Sequence, residues 1–159
     1  MKYLNIEDDN INYKISKWLL EELLAKGCNE FSYEEAESAC VESLPYQLKL
    51  KSALCTWLLG VKRIETVFFN QGSDNWHKFS ELYTFNRNTV PVIEKFMGNN
   101  LLDRDIHLNK GVANWHFYKD GILLAGASVD DDFITINEPG KLLTDKLRQM
   151  DVEFNLKNI

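Results

Sequence analysis

Histidine, cysteine and proline are scarce in this chain, at three residues each in 159, and glycine stands at eight. Few prolines and glycines leave no stretch that reads as a long linker, and the length suits one domain spanning residues 1–159. The cysteines, Cys28, Cys40 and Cys55, are odd in number and contain no C-x-x-C pair. That argues against a disulfide framework or a thiolate zinc site, and for reduced thiols in a reducing compartment, with Cys40 and Cys55 placed among apolar helical neighbours. Long apolar runs are missing too: "WLL" at Trp18 and "WLLGV" at Trp57 are far too short to cross a bilayer. The start, "MKYLNIEDDN", has no basic segment leading into an apolar one, so no secretory signal is expected, and the localisation that follows is cytoplasmic. No nucleophile elbow, P-loop, H-E-x-x-H or Rossmann glycine pattern occurs. No enzymatic activity and no cofactor are therefore expected.

Aromatic residues, by contrast, reach 12% and hydrophobic residues 45%, enough for a packed core. The net charge is −6, and it is uneven: the first fifty residues carry five lysines against ten carboxylates. Such a chain repels phosphate backbones and anionic lipid, and attracts a basic protein. The acidic residues best placed for that role are Glu30, Glu34, Glu35 and Glu37, with Asp130, Asp131 and Asp132 of "VDDDF" as a second patch. "VDDDF" lacks the alternating ligands and central glycine of a calcium loop.

Apolar spacing predicts a helix over Asp9–Ala25, capped by Asp8 or Asp9 and stopped at Gly27. Ser32 followed by Glu35 has the form of a capping box and predicts a second helix. A third is expected from about Tyr46 to Val61, with Leu48, Leu54, Cys55 and Leu58 inward. Trp76, Phe79, Leu82 and Tyr83 recur at helical spacing behind a Ser73 or Asp74 cap, and "TVPVIEKFMGNN" predicts a short helix with Pro91 in its first turn. After Asn100 the pattern becomes alternating, with turns at Lys110-Gly111, Asp120-Gly121 and Asp130–Asp132, then a last helix at "KLLTDKLRQM" and a terminal strand at "VEFNL". The expected fold is therefore α+β: about four to five N-terminal helices packed against a C-terminal antiparallel β-meander of about four strands, followed by a short helix.

The triplet Asn-Trp-His occurs twice, at Asn75–His77 and Asn114–His116. The first is expected to open a helix and the second to lie mid-strand, which disfavours a decayed repeat; coincidence is favoured, with convergence of the two segments on one site as the alternative. In a strand, Ala113, Trp115 and Phe117 share a core face, while Asn114, His116 and Tyr118 share a solvent face. If Lys110-Gly111 is a two-residue hairpin turn, Asp105 opposes His116, and His107 opposes Asn114. A three-residue Asn109–Gly111 turn would change those partners. Asp105, His107 and His116 could then form a two-histidine, one-carboxylate group, although cross-strand polar pairs on a wet face need no metal. The functional expectation is a small acidic cytosolic protein-binding inhibitor of immunity or antitoxin type, neutralising a basic partner such as a toxin nuclease. A non-inhibitory interaction subunit and a small enzyme using the Asp105, His107 and His116 group are the alternatives. No bound metal, nucleic acid or membrane is expected.

Overall fold

The computed structural model describes residues 2–36, 43–66 and 77–158. Strand and helix alternate along the chain. β1 (Lys2–Glu7) leads through a 3-10 turn to α1 (Tyr13–Ala25) and β2 (Glu30–Glu35), followed by α2 (Ser43–Leu54), β3 (Leu58–Glu65) and β4 (His77–Thr84). α3 (Val90–Phe96) and α4 (Arg104–Lys110) precede β5 (Val112–Lys119), β6 (Ile122–Ser128) and β7 (Phe133–Asn137), and α5 (Lys141–Gln149) and β8 (Asn155–Asn158) follow. The eight strands form one antiparallel sheet in the order β3-β4-β2-β5-β6-β7-β1-β8.

This overturns the expected architecture of N-terminal helices followed by a four-strand meander. Among the described residues four strands precede residue 100, and the helices are interspersed. The described start of the second expected helix is β2. Its Phe31 and Tyr33 alternate into the core, and pairing with β5 and β4 outweighs the local preference of Ser32 for a helix cap. The third expected helix ends at Leu54. Leu58 to Val61 belong to β3, and Leu48 and Cys55, expected inward, are exposed. Phe79, Leu82 and Tyr83 lie on β4 rather than on a helix. Trp76, Ser73, Asp74, Cys40 and Glu37 lie outside the described residues.

Lys110-Gly111 is not a hairpin turn. Asp103 caps α4 by accepting hydrogen bonds from the Asp105 and Ile106 backbone N–H groups, and Gly111, at φ 66°, ends it by donating to the His107 carbonyl. Lys-Gly suits a helix stop as well as a turn, because both need a residue at positive φ. Asp120-Gly121 is the two-residue hairpin loop, with φ 50° and 81° and Lys119 opposite Ile122.

α1 starts where Asn12, not Asp8 or Asp9, accepts a hydrogen bond from the Ile15 N–H at 2.9 Å. Its Ile15, Leu19, Leu20 and Leu23 pack on the sheet with Leu4, Ile6, Phe31, Ile134 and Ile136, and α5 adds Leu143 and Leu147. Trp115 and Phe117 sit in this core. Trp115 stacks on Phe31 and tilts against Tyr33, with ring centroids 6.4 and 5.3 Å away. Truncating so large a buried ring costs about 3–5 kcal/mol.

The other face of β5 departs from expectation. Asn114, His116 and Tyr118 are buried, not solvated. Tyr118 joins Ile64, Leu82 and Leu123 in a second small core, and its hydroxyl donates to the Glu65 carbonyl at 2.8 Å. β3 lies three strands from β5, about 14 Å across a flat sheet. One tyrosine side chain spans that separation only because the sheet curls, bringing β3 back over β5.

Candidate functional site

The acidic residues of β2 are paired within the fold, Glu30 and Glu34 half-buried and Glu35 exposed. Glu34 pairs with Lys78 on β4 through one oxygen and accepts a hydrogen bond from the Asn114 amide at 2.8 Å through the other. Glu35 lies 3.5 Å from Lys51 and accepts from the Tyr33 hydroxyl at 3.1 Å. Glu30 lies 3.8 Å from Lys62 and accepts from the Gly121 N–H at 2.9 Å. Each glutamate therefore has a cation from another element and a hydrogen-bond donor, which for Glu35 is Tyr33 of β2 itself. The helical stripe of Glu30, Glu34 and Glu37 does not exist, because Glu30 and Glu34 stand on a strand.

Asn114 anchors this group. It sits at φ 54°, where β5 carries Asn114 and Trp115 against the single residue Tyr33 of β2. Asparagine tolerates that conformation better than most residues. Its Oδ1 accepts from the Val129 N–H at 3.0 Å, and its carbonyl lies 2.7 Å from His116 Nδ1. His116 is fully buried opposite Gly126, and burial lowers its pKa from 6.5 to about 4. It is neutral at physiological pH.

Asp105 and His107 lie on α4, two residues apart and so on different sides of the helix. The neighbouring Ile106 packs against the core face that holds Trp115, whereas His116 projects from the opposite face of β5. The pairing that was to join the three residues is replaced by the helix. No group of three or more histidine, cysteine, aspartate or glutamate side chains with metal-binding geometry occurs among the described residues. Burial pushes the Cys28 thiol up to about 12, which keeps it unreactive.

The second acidic patch is larger than "VDDDF" alone indicates. β1 pairs with β7 so that Glu7 faces Phe133, and the Asp8 N–H donates to the Asp132 carbonyl at 2.8 Å. "EDDN" after β1 and "DDD" before β7 therefore meet. Glu7, Asp8, Asp9, Asp131 and Asp132 line a cleft of about 360 Å³ with Phe133 at its side. Asp131 accepts from the Ser128 hydroxyl at 2.6 Å, and Arg104 pairs with Asp132. Asp8, Asp9 and Asp130 make no ion pair among the described residues. Partial burial, then the neighbouring Asp132, raise the Asp8 pKa, and Arg104 opposes this only in part. The Asp8–Asp9 half of the cleft went unassigned in the sequence. The available signal was a second acidic run at the end of a strand.

No helix among the described residues is long and apolar enough to cross a membrane. Comparison with protein-family models, curated proteins and solved structures finds no match to this chain.

Proposed function

We propose that this chain is a binding protein that offers the cleft between β1 and β7 to a basic partner, as an immunity or antitoxin-type inhibitor would to a toxin nuclease. The observation that carries the reading is the convergence of five carboxylates from two distant segments on one cleft. Burial first, and then the neighbouring Asp132, raise the Asp8 pKa, and a cation from a partner would offset the like-charge part. A nuclease site built to hold phosphate has the complementary charge.

The test starts from a basic protein recovered from the native host on the immobilised chain. Its association rate and its enzymatic activity are then measured with purified components. Charge reversal by Asp9→Lys with Asp130→Lys slows association about tenfold at low salt and flattens its salt dependence. Glu21→Lys, on the exposed side of α1, does neither. Stoichiometric loss of the partner's activity supports inhibition. Unchanged association in the double reversal removes the cleft from the interface, and an unaffected partner activity removes the inhibitor role.

A further inference from the structure

Arg104 supplies a cation at the edge of the acidic cleft, and its contact there is incomplete. Its Nε lies 3.2 Å from Asp132 Oδ1, and its Nη2 pairs with that same oxygen. A guanidinium set fork to fork against a carboxylate engages both oxygens, which makes the stronger pair. Here both contacts converge on one. The two side chains are each more than half exposed, and Arg104 is not among the residues that line the cleft. It reaches Asp132 from the rim.

Neither end of this contact depends on it for its place. Asp103 holds the start of α4 by accepting from the Asn99 N–H at 2.7 Å and from the Asp105 and Ile106 N–H groups at 2.9 and 3.2 Å. The Asp132 carbonyl accepts from the Asp8 N–H at 2.8 Å. Backbone bonds therefore bring Arg104 and Asp132 together, and an exposed ion pair between them adds little to stability. Its weight lies in charge. The Arg104 charge also faces Asp8 and Asp130, and it favours the ionised form of Asp8 where Asp132 and Asp9 oppose it.

A partner that brings cations to this cleft meets one already seated there. Resting on the reading of the cleft as a surface for a basic partner, we infer that Arg104 is a placeholder: an arginine of the partner takes Asp132 by both oxygens, and Arg104 swings off into solvent. An arginine suits the place better than a lysine. Its planar fork matches the two oxygens of a carboxylate and is weakly hydrated, whereas an ammonium is a compact, strongly hydrated charge. The exchange replaces a one-oxygen contact by a two-oxygen contact at the same aspartate. In the free chain Arg104 competes with the partner, so its removal strengthens binding.

The probes are labelled oligo-arginine and oligo-lysine peptides of equal length, followed by fluorescence anisotropy at low salt. Oligo-arginine should bind the native chain at least about threefold more tightly than oligo-lysine. Arg104→Gln should tighten oligo-arginine binding by about threefold to tenfold. Lys14→Gln, which removes the same charge from the exposed start of α1, should change it by less than about twofold. Displacement is read directly on the unaltered, nitrogen-15-labelled chain. At saturation with unlabelled oligo-arginine, the Arg104 Nε–H signal, identified by its absence in Arg104→Gln, should lose its carboxylate-bonded shift and exchange faster with water. If that signal stays in place while the amides of residues 7–9 and 130–133 move, the pair survives binding and the placeholder is overturned alone. Equal binding of the two peptides, equal effects of the two substitutions, or weaker binding in Arg104→Gln overturns it in the same way. Absence of amide shifts at residues 7–9 and 130–133 overturns the cleft as a binding surface, and the placeholder with it.

Discussion

Glu34 and Asp8 both belong to the acidic first fifty residues, and the fold treats them differently. Glu34 lies between Lys78 and the Asn114 amide, and neighbouring Glu30 and Glu35 lie beside Lys62 and Lys51, the latter shared with Glu81. Asp8 stands beside Asp9 and Asp132, and its proton affinity is raised. Counting charge by segment puts both in one acidic block, but the cations that neutralise β2 come from Lys51, Lys62 and Lys78, outside that block. A carboxylate that has been matched with a donor and a cation serves the fold. One placed among its own kind costs stability in the free chain, which is how binding surfaces are often built.

The contrast has opposite signs in pH. His116, beside the Glu34 group, has a folded pKa near 4 against 6.5 unfolded. Below pH 6.5 the unfolded chain takes up a proton that the folded chain refuses. Stability is therefore lost as pH falls, by about 3 kcal/mol at pH 4 for this group. Asp8 acts the other way: burial first and Asp132 second raise its folded pKa, so mild acid removes a cost that its charged form carries in the fold. Urea melts of the native chain and of His116→Gln between pH 7 and 4 should show the steeper loss in the native chain. Parallel pH profiles would mean that His116 does not resist protonation in the fold.

Glu34→Ala should destabilise the chain by about 1–3 kcal/mol, since it strands the Asn114 amide and removes the partner of Lys78. Glu35→Ala and Glu30→Ala lose more exposed pairs and should cost about 0–1 kcal/mol each. Asp8→Asn is expected to be the smallest effect and of opposite sign, a slight rise in melting temperature at neutral pH. Calorimetry on the set ranks them. If Asp8→Asn lowers the melting temperature as Glu34→Ala does, the two acidic groups do the same work and the comparison fails.

What could be read in advance was local. α3 with Pro91, α5, the body of α1, the Asp120-Gly121 hairpin and the core role of Trp115 follow from spacing and turn chemistry within a few residues. β2, β3 and β4 did not, because their partners decide them. "EFSYEE" carries a valid capping box and becomes a strand when Phe31 and Tyr33 find Phe85, Phe117 and Trp115 across the core. The buried polar face of β5 was read as solvated because nothing local announces that the sheet curls until Tyr118 reaches Glu65. Asp130–Asp132 stood out as a run. Their meeting with Glu7–Asp9 depends on β1 pairing with β7 across the length of the chain.

The contrast between the two acidic groups is tested most directly by titrating the isotope-labelled chain with an oligo-arginine peptide and following backbone amide shifts at low salt. Shifts that saturate at residues 7–9 and 130–133, and leave 30–35 in place, are the expected result. Shifts centred on 30–35, or none at the cleft, would contradict the account.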